Sequence, residues 1–167
     1  MRVPLWVLGL SAALVLGSCG KAAFDGTVYR GDDIEFRVGP VSPTWRAIEV
    51  EGALLAFRDD ARAATVAVNG RCGLDGDDVP LQALTQHLFL HFTDREIISQ
   101  QALELDGREA LRTELVAELD GVPRRFVVYV LKKDGCVYDF MWIGGSPDGR
   151  GGVADFERFV RGFSTEV

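Results

Sequence analysis

The chain has 167 residues, enough for one domain and too few for two of ordinary size. With 47% hydrophobic and 26% charged residues it can bury a core, which excludes a disordered chain. Its 25 acidic against 18 basic side chains give a net charge of −7 and exclude a nucleic-acid binder, which needs a basic face.

The first 18 residues carry one charge, Arg2, and then an apolar run from Leu5 to Leu16 that ends in Gly17 and Ser18. That is the layout of a secretory signal. The uncharged stretch from Val3 to Ser18 is shorter than the roughly 20 residues a membrane-crossing helix needs, so a spanning anchor is the weaker reading. At the end of the run, Leu16-Gly17-Ser18-Cys19 resembles a bacterial lipobox. The resemblance implies diacylglyceryl transfer to the Cys19 thiol, removal of residues 1–18, and acylation of the new amino terminus. Gly20 stands where an aspartate would mark retention at the inner membrane, so the outer membrane is favoured, with the domain facing the periplasm. Losing Arg2 makes the body one unit more acidic, and such a body gains no attraction to anionic lipid. Lipid chains alone would then hold it, each buried CH₂ contributing about 0.8 kcal/mol. Residues 19–27 read as a tether that reaches at most about 30 Å, and residues 28–167 as a single folded domain.

Along the body, Ile34, Phe36 and Val38 alternate as in a half-buried strand. Gly39-Pro40 and Ser42-Pro43 break the chain before Trp45, and short apolar runs at 47–50, 53–57 and 64–68 predict further strands joined by tight turns. A helix is expected next, capped by Asp78, with Pro80 in its first turn and Leu81, Leu84, Leu88 and Phe92 on one side. Beyond it, Asp106-Gly107, Asp120-Gly121 and Asp134-Gly135 recur every 14 residues between strand-forming runs. Asp-Gly suits turns that need positive φ at both residues, so the three pairs predict an antiparallel meander. Within it Leu111, Thr113, Leu115, Ala117 and Leu119 face one way and Arg112, Glu114 and Glu118 the other, while 126–131 and 137–143 are apolar on both sides, as in strands covered on two faces. A glycine-rich stretch, 144–152, ends the sheet and reads as a mobile loop. A closing helix carries Phe156, Phe159, Val160 and Phe163 at helical spacing.

The fold class is therefore α+β, an antiparallel sheet flanked by helices. The residues 34–38 with Pro43-Thr44-Trp45, 105–110, 133–140 and the final helix over 154–163 resemble the Mog/PsbP-like fold, an α/β/α sandwich found in photosystem II extrinsic subunits, a Ran-binding protein and many small bacterial lipoproteins. The resemblance spans roughly 28–165. It implies a fold and a mostly non-catalytic binding or assembly role, and it transfers no functional residue.

Chemical candidates are few. With Cys19 lipidated, Cys72 and Cys136 remain, and an even pair in an oxidising compartment is most simply a disulfide. Two buried thiols are an alternative, and so is a redox pair, although no C-x-x-C is present. His87 and His91 stand four apart on the expected helix, a spacing that can share a metal. Leu88 occupies the position of the zincin glutamate, so the pair reads as surface or boundary histidines, with a metal site as the alternative. The acidic run from Asp75 to Asp78 lacks later oxygen ligands, with Val79 and Gln86 at those places, and suits a helix start better than calcium. The glycine-rich stretch lacks the G-K-[ST] ending of a phosphate loop, no nucleophile elbow is present, and adjacent carboxylates such as Asp32-Asp33 and Asp59-Asp60 point apart in extended chain. No catalytic residue and no cofactor is assigned. The sequence is read as a non-enzymatic, lipid-anchored envelope protein, a binding or accessory subunit of a membrane complex that makes contact through the spare sheet edge or the exposed loops, the alternative being a small-molecule or metal-binding lipoprotein facing the periplasm.

Overall fold

A computed structural model describes residues 22–73 and 78–167; the expected signal, Cys19 and the part of the acidic run at 75–77 lie outside the described residues. Among the described residues ten strands and two helices follow one another in the order β1 (Ala23–Phe24), β2 (Val28–Arg30), β3 (Glu35–Arg37), β4 (Trp45–Ala47), β5 (Leu55–Asp59), β6 (Ala64–Cys72), α1 (Leu81–Leu88), β7 (Thr93–Leu105), β8 (Arg108–Leu119), β9 (Val122–Lys133), β10 (Cys136–Ile143) and α2 (Val153–Arg161). The first three strands form a small sheet of their own. The rest form a seven-stranded antiparallel sheet in the order β4-β5-β6-β10-β9-β8-β7.

The order follows from the connections. The chain leaves β6 in mid-sheet, crosses one face through α1, and enters at the far edge as β7. Three hairpins then bring it back until β10 pairs with β6. Each hairpin turns on an Asp-Gly pair with both φ values positive, between 49° and 52° at Asp106, Asp120 and Asp134 and between 71° and 73° at the glycines. This is the turn whose twist suits antiparallel strands, and it places the expected meander.

Successive side chains of the central strands enter two separate cores. Val127, Tyr129 and Leu131 of β9 point to the face covered by α2 and the small sheet, where Phe36, Phe140 and Phe159 are fully buried. Phe126, Val128 and Val130 point to the face covered by α1, with Leu84, Leu111 and Leu115. Both faces of β9 are thus dry, which is why its sequence is a continuous apolar run.

Several expectations are corrected. Residues assigned to the tether are already paired: Phe24 pairs with Tyr29 and packs edge-on against Phe57, with ring centroids 6.1 Å apart. Asp25 closes the turn by accepting the backbone N–H groups of Val28 and Thr27 and the Arg30 guanidinium, which hold its carboxyl at about 2. Residues 23–27 therefore belong to the domain, because an aromatic anchor and a satisfied turn order them. Helix α1 begins at Leu81 with Pro80 as its cap residue, so Asp78 does not cap it. The helix ends at Leu88, and Phe92 reaches the core from beyond it by packing on Phe89 and Phe126. The 144–152 loop is tied down: Arg124 and Arg125 donate to the Gly145 and Pro147 carbonyls, and the Gly144 N–H donates to the Arg125 carbonyl.

Candidate functional site

The sheet has two edges of different character. Strand β4 is only three residues long. Strand β7 is thirteen residues long, among the described residues pairs with β8 alone, and is exposed along nearly its whole length. Its pairing shifts register between Thr93 and Glu96 and again between Ile97 and Ser99, and Asp94 in the first irregularity has φ 46°. A bulge inserts a residue and re-aims the side chains around it. Ile97 and Gln100, which strict alternation would put on opposite faces, consequently line the same groove.

That groove runs between the C-terminal end of α1 and β7, with a cavity volume of about 430 Å³. Phe89 and Leu115 form its apolar floor, Leu90 and Ile97 its rim, and Thr85, Gln86, Gln100 and Thr113 supply polar atoms. The floor is rigid: Phe89 is 2% exposed and its ring lies edge-on to Phe92 and Phe126. Arg95 ties the strand to the helix by donating to the Phe89 carbonyl at 3.1 Å, where the helix dipole favours a cation. The rim is unusual for a domain with two good cores, since Leu90 is 57% and Ile97 54% exposed; Ile98, within the second register shift, is 43% exposed.

Charged groups elsewhere serve the fold. On the α2 face, Glu114 is buried and accepts from Arg125 at 2.7 Å and Arg150 at 2.6 Å, with Arg112 at 3.6 Å and also paired to Glu157 of α2. This cluster clamps the 144–152 loop against the sheet. Asp59, the last residue of β5, is buried, while Asp60 in the turn that follows is exposed. Burial pushes the Asp59 carboxyl up, but hydrogen bonds from the Arg62 side chain, Thr44 and the Arg62 backbone outweigh it and hold the group below its ordinary range. Asp139 has one strong partner, Asn69 Nδ2 at 2.7 Å, and burial lifts its carboxyl above the ordinary range against the pull of Asn69 and Arg71.

Cys72 and Cys136 are direct cross-strand partners where β6 meets β10, and their sulfurs are bonded. His87 and His91 no longer share a helix face, because α1 stops at Leu88 and both imidazoles are exposed. Among the described residues no group of three or more His, Cys, Asp or Glu is placed to hold a metal ion, and no helix is long and apolar enough to cross a membrane.

Against this geometry stand the solved structures. The cyanobacterial PsbP protein CyanoP of Synechocystis, solved in solution, matches with a TM-score of 0.56 at 17% identity, over 90% of this chain and 98% of that one. The fold is PsbP-like. A crystal structure from Bacteroides thetaiotaomicron matches this PsbP-like body with a TM-score of 0.55 at 13% identity, over 79% of this chain and 45% of the other. LpqN, involved in cell envelope biogenesis of Mycobacterium tuberculosis, matches with a TM-score of 0.50 at 15% identity, over 78% and 83% of the two chains. No family model and no curated protein sequence matches the chain.

The groove of this PsbP-like body was hidden from the sequence because its residues come from α1, β7 and β8, and because bulges break the alternation of β7. One signal did exist: Asp106-Gly107, as the first hairpin turn, requires a strand before it.

Proposed function

We propose that this chain is a lipid-anchored protein of the cell envelope that works by binding, not by catalysis, as an accessory subunit of a membrane complex. The observation that carries the reading is how near to Cys19 paired structure is found. Ala23 is already a paired strand residue, only four positions after Cys19, so an acyl group on Cys19 would hold the body within about 14 Å of the bilayer. A domain held that closely meets membrane-bound partners first. The PsbP-like fold, shared with a protein involved in envelope biogenesis, supports the accessory role. Gly20 in place of aspartate favours the outer membrane.

The test is metabolic labelling with radioactive palmitate, followed by native electrophoresis of membranes in mild detergent. The wild-type chain is expected to carry label and to migrate in a discrete assembly larger than the monomer, and Cys19→Ser to carry none. Label persisting on Cys19→Ser would overturn the anchor, and migration of the lipidated chain as a free monomer would overturn the accessory role.

A further inference from the structure

We infer that the open flank of β7 and the groove beside α1 together receive an extended segment of a partner protein, apolar at alternate positions and net basic, which joins the sheet as an eighth strand. The inference rests on the binding role proposed above and names the chemistry of the partner.

The backbone supplies the template. After the second register shift, Ser99 to Leu105 pair with β8 without interruption from Glu114 to Arg108. Seven residues at about 3.3 Å each make roughly 23 Å of regular edge, a full strand's length. Sheet edges are ordinarily protected by charge, proline or shortness. From Ile97 to Leu103 this edge carries no charged residue and no proline, and only its N-terminal part is bulged. Main-chain hydrogen bonds along such an edge give affinity, and pockets for alternate side chains give selectivity. The groove is such a pocket, since Ile97 and Gln100 belong both to the strand and to its lining.

Charge selects the occupant. The uncharged edge is bracketed by Asp94 and Glu96 at one end and Glu104 and Glu109 at the other, against Arg95 and Arg108. Arg95 is engaged with the Phe89 carbonyl and Arg108 with the Lys132 carbonyl. The chain as a whole carries −7. A basic strand is attracted to this edge, whereas a second copy would set acidic groups against acidic groups.

The experiment uses the isotope-labelled full chain carrying Cys19→Ser and two capped ten-residue peptides, one alternating Val with Lys and one alternating Val with Glu. The Val-Lys peptide is expected to slow hydrogen exchange at the β7 amides that point away from β8, to bind at least tenfold more tightly than the Val-Glu peptide, and to lose at least tenfold in affinity with Ile97→Lys. That substitution sits on an exposed side chain, so an unchanged melting temperature shows that the fold is intact. Unchanged β7 exchange with both peptides, equal affinity for the two, or β7 amides already protected in a dimer without peptide would each overturn the inference. The anchor and assembly measurements above stand or fall separately, because they do not involve the peptides.

Discussion

Gly39 and Gly162 meet backbone to backbone: a Cβ built on Gly162 would stand 2.3 Å from the Gly39 nitrogen and Cα, and one built on Gly39 would stand 2.3 Å from the Arg158 carbonyl oxygen. The contact lets the Gly39 N–H donate to the Phe159 carbonyl at 2.8 Å and docks the end of α2 on the chain that follows β3. Because both neighbours are main chain, neither can move aside cheaply. Gly162→Ala is expected to cost about 3 kcal/mol in urea unfolding, at the upper end for overpacking, because Gly39 must be pushed away from α2. A cost below about 1 kcal/mol would mean that α2 can shift on the sheet.

The Glu114 cluster separates a buried ion pair from an exposed one within a single carboxylate. Glu114 and Arg125 side chains are 5% and 13% exposed, whereas Arg150 is 62% exposed. Glu114→Gln leaves Arg125 and Arg112 without their shared anion, and should cost about 3 kcal/mol while speeding amide exchange in the 144–152 loop. Arg150→Ala removes a solvated partner and should cost less than about 1 kcal/mol. Equal costs for the two variants would show that burial does not set the strength of this network.

The Cys72–Cys136 bridge closes a span of 64 residues that includes α1, β7, β8 and β9. Constraining the unfolded chain over that length contributes roughly 4 kcal/mol in the chain-entropy model. The double variant Cys72→Ala, Cys136→Ala is expected to unfold at correspondingly lower urea. Thiol titration of the denatured, unreduced mature chain should find neither cysteine reactive. Two reactive thiols there would refute the bridge.

The parts of this fold that could be read in the sequence are those governed by short-range chemistry. Three Asp-Gly pairs named the hairpins, since few other dipeptides accept two positive φ values. Phe156, Phe159 and Val160 named the buried side of α2, and Phe163, two residues past the end of the helix, is also inside. Illegible were features set by distant neighbours: Phe24 finds Phe57 across 33 positions of chain, Glu114 gathers arginines from three segments, and the bulges of β7 erase its alternation. The candidate groove belongs to that second class: Thr113 and Leu115 stood out only as one face of a strand, and nothing local joined them to Phe89, Ile97 and Gln100.

Two buried aspartates should respond to pH with opposite signs. Asp59 is held below the ordinary carboxylate range, so its stabilisation is present above about pH 4 and is lost as the pH falls through its folded pKa. Asp139 is lifted above that range, so its advantage to the fold is fully present below about pH 4 and is lost as the pH rises through its folded pKa. Asp59→Asn is therefore expected to destabilise the domain at pH 7 by about 1–3 kcal/mol, as the loss of charge-assisted hydrogen bonds from Arg62 and Thr44 implies, with a smaller deficit at pH 3.5. Asp139→Asn keeps an oxygen for Asn69 and removes the cost of a buried charge, so it should match the wild type at pH 3.5 and exceed it at pH 7 by about 1 kcal/mol or more. Urea unfolding at the two pH values measures both differences. An Asp139→Asn variant less stable than the wild type at pH 7 would show instead that Asn69 and Arg71 stabilise the carboxylate against burial.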